Sequence, residues 1–146
     1  MKVFLDTNIL VAASVRQHPH FRAADRLFRR CQSGELEAVI HAHSLLEFHS
    51  ALTQLPKGLS VPPLAVETIL QDGILPYVRC VSLTAREVTA VQRRAGHLGL
   101  IGGVIYDLFL LAVAEKEKVD RLYTFNLQHF HRLASADFAP LIVSPD

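Results

Sequence analysis

The sequence has no tryptophan, few cysteines and no excess of charge of one sign. Its only cysteines, Cys31 and Cys80, have no motif spacing, which argues against a disulfide scaffold and predicts two ordinary thiols in a cytoplasmic protein. The formal net charge is +1, so the strongly basic composition of many nucleic-acid-binding proteins is absent. A local basic patch can still exist on a neutral protein, and nucleic-acid binding is therefore not excluded.

Long apolar runs are also absent. The longest apolar stretch with a helical pattern, residues 104–114, carries Asp107 and is too short to cross a bilayer. The first residues, with one lysine before a short apolar run, do not have the pattern of a signal peptide. Half of the residues are apolar and a fifth are charged, which is a globular composition. No repeat, low-complexity segment or long linker divides the chain, so we expect one domain over residues 1–146.

Short apolar runs alternate with segments of helical periodicity along the chain. Strands are predicted at residues 3–5, 36–40, 77–83, 121–124 and, as a possible edge strand, 140–143. Helices are predicted at residues 21–31, 44–55, 64–71, 84–95, 104–118 and 127–135. Strands and helices in this alternation form βαβ units. The sequence therefore predicts an α/β fold in three α/β/α layers, with a mostly parallel sheet of four or five strands.

The first predicted strand ends at Asp6, which is followed by Thr7 and Asn8. Ligands of α/β sheets bind beyond the carboxyl ends of the strands. A carboxylate at this point is therefore a candidate catalytic or metal-binding group. Asp6 is equally suited to form an Asx turn or a helix N-cap, and its position alone does not separate these alternatives.

Two further acids occupy positions where apolar side chains are expected. Asp107 is surrounded by apolar residues on all sides of its helix, a pattern typical of a buried helix. An unpaired buried carboxylate costs several kcal/mol, whereas a first-turn acid gains only about 0.3–1 kcal/mol from the helix dipole. Glu47 lies at the border of the apolar face of its helix, and its head group could instead reach water. Neither acid has Lys or Arg three or four positions away.

A divalent cation shared by Asp6, Glu47 and Asp107 would compensate their charge more economically than a distant arginine. Mg²⁺ prefers carboxylate oxygens and water as ligands. Asn126 follows the fourth predicted strand and is either a fourth polar group of this site or a turn residue. We also expect Thr7 and Asn8 to hydrogen-bond the metal ligands. Because neighbouring carboxylates cannot all ionise cheaply, at least one of them should have a raised pKa.

Four segments together resemble the PIN-domain ribonucleases, in particular the VapC-type toxins of type II toxin–antitoxin pairs. The similarity is carried by Asp6-Thr7-Asn8, by Glu47, by residues 103–108 around Asp107 and by residues 122–130. The resemblance implies a PIN-like α/β/α fold and cleavage of single-stranded RNA that depends on Mg²⁺, or on Mn²⁺. It also implies a homodimer and a cognate antitoxin. No association with membranes is expected, because no apolar stretch is long enough to cross a bilayer.

The resemblance assigns catalysis and metal binding to Asp6, Glu47 and Asp107. It gives supporting roles to four polar residues around them, namely Thr7, Asn8, Thr124 and Asn126. Some members of the family carry a fourth acid at the position of Asn126. The number of metal ions, one or two, is therefore left open by the sequence.

The sequence also offers candidates for contacts with RNA and with a second copy of the chain. Basic contacts could come from residues in or beside loops, namely Arg16, Arg22, Lys57, Arg93 and Arg94. Three rings could stack on bases, although we expect them to pack in the core: Tyr106, Phe125 and His129. Apolar residues in the segment 61–75 are the candidate dimer contact.

Three alternatives remain open. The first is a catalytically silent PIN-like domain that binds RNA or protein. The second is a receiver-like signalling domain, which is disfavoured because Asp6 has no acidic neighbour. The third is a zinc enzyme built on the His-x-His pairs at 18–20, 41–43 and 129–131, which lack cysteine partners and a helical pair of histidines at i and i+4.

Overall fold

A computed structural model describes all residues, Met1–Asp146. Five parallel strands form one sheet in the order β3-β2-β1-β4-β5. The strands are β1 (Lys2–Leu5), β2 (Glu37–His41), β3 (Val78–Val81), β4 (Arg121–Tyr123) and β5 (Ile142–Val143). The predicted α/β class and parallel sheet are confirmed, and the segment expected as an edge strand is β5.

Seven helices cover the two faces of the sheet. They are α1 (Thr7–Ser14), α2 (Phe21–Gln32), α3 (His43–Thr53), α4 (Pro63–Thr68), α5 (Ala85–Leu98), α6 (Val104–Glu117) and α7 (Leu127–Leu133). A π-helical segment, Ile69–Ile74, continues α4, and short 3₁₀ turns precede β3 and β5. No helix is both long enough and apolar enough to span a membrane.

Alternating side chains of the central strand belong to two separate cores, which explains the three layers. Val3 and Leu5 pack in one cluster with residues of α1 to α4, whereas Phe4 packs in the other with residues of α5 to α7. All three are fully buried. A strand with both faces covered has a continuous apolar sequence, which is why β1 is recognisable from the sequence. Its carboxyl end delivers Asp6 to the edge of the sheet.

Helix α1 was not predicted, because its sequence is poor in strong helix formers and follows the strand without a loop. Asp6 occupies its N-cap position without a side-chain capping hydrogen bond. Its residues Ile9, Leu10 and Ala12 are buried. Burial of this face in the first core, rather than intrinsic propensity, therefore explains the helix.

Helix α5 begins as predicted and ends later than predicted. The capping box between Thr84 and Glu87 is present. The helix passes through Gly96 and ends only at Gly99, which has φ 66°. A glycine inside a helix costs about 1 kcal/mol relative to alanine. The left-handed conformation that terminates the helix favours glycine at position 99, and Val91 and Ala95 bury the helix against the second core.

Candidate active site

The structure brings the three predicted acids to one cavity at the carboxyl edge of the sheet. Asp6 follows β1, Glu47 lies in the second turn of α3, and Asp107 lies in the first turn of α6. All three line a cavity of about 280 Å³. The same cavity is lined by further side chains from α1, α3 and the loops, namely Thr7, Asn8, Val11, His18, Ala51 and Asn126.

Asp6 is held by a network centred on Thr124. Asp6 is only 4% exposed, and Thr124 Oγ1 donates a hydrogen bond of 2.7 Å to its Oδ2. The same hydroxyl accepts hydrogen bonds from the amide of Asn126 at 2.9 Å and from Asn8 Nδ2 at 3.3 Å. Asn8 Oδ1 in turn accepts from the amide of Phe125 at 3.3 Å. This network fixes the beginning of α1 to the carboxyl end of β4.

The other two acids contact neutral or histidine side chains only. Thr7 Oγ1 donates to Glu47 Oε1 at 3.4 Å, and His43 Nε2 lies 3.7 Å from the same oxygen. His129 Nδ1 lies 3.3 Å from Asp107 Oδ2. None of the three acids forms an ion pair with Lys or Arg. His43 lies four positions before Glu47 and its contact follows from helix geometry, whereas His129 is 22 residues away from Asp107 and their contact depends on the tertiary fold.

The carboxyl pKa values are raised at all three positions. Burial raises the pKa of Asp6 to about 7, with the charges of Asp107 and Glu47 adding to the effect and the hydrogen bonds from Thr124 and Thr7 opposing it. Burial is also the main cause that raises the pKa of Glu47 and of Asp107, against the lowering effect of His43 and His129. The expectation of a raised carboxyl pKa is confirmed, but loss of hydration contributes more than repulsion between carboxylates.

The donor set of the cavity suits a hard divalent cation. Its polar lining offers carboxylate, amide and hydroxyl oxygens, and the side chain of Asn126 makes no hydrogen bond to the protein. No group of three His, Cys, Asp or Glu side chains converges closely enough to enclose an ion. A hydrated ion held partly through water fits this wider spacing, because Mg²⁺ usually keeps several of its waters.

Two of the expected environments are wrong. Tyr106 is 51% exposed and His129 is also exposed, so neither packs in the core.

Arg94, one of the candidate RNA contacts, forms an ion pair of 3.1 Å with Glu115 and donates to the carbonyl of Leu133. Arg94 therefore has acceptors within the fold, unlike the other basic candidates. The remaining basic candidates are exposed and form no ion pair, namely Arg16, Arg22, Lys57 and Arg93.

Comparison with known families gives an independent result. Residues 3–136 match the PIN domain family model. The chain belongs to the PIN domain family. The resemblance predicted from the sequence is confirmed, and the receiver-like alternative is excluded.

Individual proteins are similar along most of the chain. Ribonuclease VapC27 of Mycobacterium tuberculosis (strain ATCC 25618 / H37Rv) is 28% identical over 112 residues, which are 76% of either chain. VapBC2 from Rickettsia felis, crystallised with a promoter DNA fragment, has a TM-score of 0.66 at 20% identity and full coverage of both chains. A toxin–antitoxin complex from Klebsiella pneumoniae has a TM-score of 0.64 at 18% identity, covering 99% of this chain and 98% of the other. The two structures share the fold.

Proposed function

We propose that this PIN domain, a single domain over residues 1–146, is a metal-dependent endoribonuclease that cleaves single-stranded RNA and acts as a toxin. The observation that carries the proposal is the meeting of Asp6, Glu47 and Asp107 in one cavity without a Lys or Arg partner. Asp6 is buried, whereas Asp107, which was expected to be buried, and Glu47 have side chains that are 23% and 34% exposed. A buried carboxylate without a cation is destabilising, and a divalent ion would offset this effect at Asp6. Similarity to a protein named Ribonuclease VapC27 supports the reaction class.

Asp6, Glu47 and Asp107 would hold Mg²⁺ or Mn²⁺, directly or through water. The chemistry that such an ion would supply is a lower pKa of a bound water and stabilisation of negative charge on the phosphoryl and leaving oxygens. Thr124 fixes the orientation of Asp6 through its 2.7 Å hydrogen bond. Glu47 is less buried than Asp6 and has a raised pKa, so it is placed either as a ligand or as the base that orients and deprotonates the attacking water.

Cleavage of a fluorescent single-stranded RNA tests this function. We expect cleavage in Mg²⁺ or Mn²⁺, none in EDTA, and a loss of at least about a hundredfold in Asp6→Asn and Asp107→Asn, since each removes a metal ligand. Asp72→Asn is the matched control, because Asp72 is exposed and outside the cavity. Cleavage by both site variants at the wild-type rate would reject a metal-dependent nuclease that uses these acids, and absence of cleavage by the wild type would favour the catalytically silent PIN-like domain.

We further propose a cognate antitoxin and a second copy of the chain as protein partners in the cytoplasm. Similarity to a toxin–antitoxin complex supports the antitoxin. For the dimer contact, Leu64 on α4 is 79% exposed, whereas Val66 and Ile74 in the same segment are buried. A small gene directly upstream should encode the antitoxin, and its product should co-purify with this chain and abolish RNA cleavage.

A further inference from the structure

Two aromatic rings are stacked at the surface beside the acidic cavity. His43, the first residue of α3, and Tyr106, in the first turn of α6, have ring centroids 5.4 Å apart and planes that differ by only 8°. His43 also contacts Phe109, with ring centroids 5.6 Å apart and planes tilted by 44°. His43 and Phe109 are partly exposed, whereas Tyr106 is 51% exposed. Tyr106 is therefore the most exposed ring of this group.

This pair is connected to the cavity at both of its members. His43 Nε2 lies 3.7 Å from Glu47 Oε1, and Tyr106 directly precedes Asp107 in the first turn of α6. Glu47 and Asp107 both line the cavity. The ring of Tyr106 is held by its stacking on His43, and the residue stays 51% exposed.

The charge of the cavity disfavours the binding of RNA phosphates in the absence of metal. Three acids line it, and no Lys or Arg is among its lining residues. Phosphate attraction, which dominates most nucleic-acid binding, is therefore weak at this site before a metal binds. Proteins that bind single strands also gain affinity from bases that stack on aromatic side chains, and this contribution tolerates any base sequence.

We propose that Tyr106, held flat by His43, is the stacking surface for an unpaired base of the RNA whose phosphate lies at the acidic cavity. This assignment rests on the proposed function, because it deepens the substrate recognition of the same site. The stack supplies affinity through the base, while the acids act on the adjoining phosphate. Recognition by stacking requires a base that is not paired, which restricts the substrate to single strands, loops or ends.

Binding measured without metal separates stacking from cleavage. The probe is a fluorescently labelled octamer of riboadenylate, followed by anisotropy in EDTA with the full chain. We expect Tyr106→Ala to weaken binding by about tenfold, and Tyr106→Phe to bind like the wild type, since the ring is kept. Tyr77→Ala is the matched control. Tyr77 is also exposed, but it precedes β3 and so lies at the amino ends of the strands, away from the cavity at their carboxyl ends. Thermal unfolding verifies that each variant is folded.

A second probe, an octamer of the same charge with all bases removed, shows whether a weaker binding of RNA by Tyr106→Ala comes from the bases or from the backbone. On this probe the wild type and Tyr106→Ala should bind equally. The inference is overturned if the wild type does not bind riboadenylate in EDTA, if Tyr106→Ala binds as tightly as the wild type, or if Tyr106→Ala loses the abasic octamer as well. Base-dependent binding without RNA cleavage in Mg²⁺ would reject the nuclease and keep the stacking surface, so the two proposals fail separately.

Discussion

Replacing Asp6 by Asn should stabilise the metal-free protein, and the gain should increase with pH. Asp6 is 4% exposed, and burial raises its pKa from 3.8 to about 7. The folded state therefore binds this proton more tightly than the unfolded chain does. The stabilisation of the folded state by this bound proton is complete below pH 3.8 and is lost as the pH rises through 7. Asn remains neutral throughout and avoids this loss.

The size of the effect follows from the same two pKa values. Their difference of about 3 units corresponds to about 4 kcal/mol at 1.36 kcal/mol per unit, reached well above pH 7. This is an upper value, because the full gain is reached only if the side-chain oxygen of the introduced Asn replaces Oδ2 of Asp6 as the acceptor of the hydrogen bond from Thr124. It is still a large part of the 5–15 kcal/mol by which typical domains are stable.

Urea unfolding in EDTA at about pH 5 and about pH 8.5 measures the effect. The free energy of unfolding of Asp6→Asn should exceed that of the wild type by a clearly larger margin at the higher pH. The exposed control Asp72→Asn should show no such dependence. A margin for Asp6→Asn that is constant with pH, or that shrinks as the pH rises, would refute the idea that burial raises the pKa of Asp6.

Three other substitutions test separate parts of the account. Thr124→Ala should destabilise the chain by about 1–3 kcal/mol and slow RNA cleavage at least tenfold, because Asp6 loses its hydrogen-bond donor. Thr124→Ser keeps the hydroxyl and should retain both stability and cleavage. Equal effects of the two substitutions would contradict this role of Thr124. His129→Ala should move the acid limb of the pH–rate profile to higher pH, since His129 lowers the pKa of Asp107; an unchanged limb would show that their contact does not persist in solution. Leu64→Glu should shift the chain from dimer to monomer in size-exclusion chromatography, and an unchanged elution volume would place the dimer contact elsewhere.

The fold is largely predictable from the sequence because β1 has both faces covered and the strands and helices alternate regularly. Helix α1 is the exception. Its residues Thr7 and Asn8 favour turns, and only packing of Ile9 and Leu10 against the sheet makes the segment helical. This tertiary contact cannot be inferred from the local sequence. Apolar periodicity therefore predicts α6 but does not predict α1.

The acids of the site are predictable because each lies next to apolar residues in its own segment. Asp6 ends an apolar strand, whereas Glu47 and Asp107 lie at or within the apolar faces of their helices. Their partners depend on the strand register, which the sequence does not state. Leu5 of β1 pairs with Tyr123 of β4, and this register brings the following residues, Asp6 and Thr124, side by side. Tyr106 was expected in the core because α6 is apolar all round, but its side chain is half exposed while Leu108, two residues later, is fully buried.

Calorimetric titration with Mn²⁺ tests most directly the claim that Asp6, Glu47 and Asp107 hold a divalent ion. We predict binding by the wild type that weakens by up to about tenfold for each pH unit below 7, with protons released on binding, because the ion must displace the proton of Asp6. Asp107→Asn should bind far more weakly. Absence of binding at millimolar Mn²⁺, or equal binding by Asp107→Asn, would contradict the account.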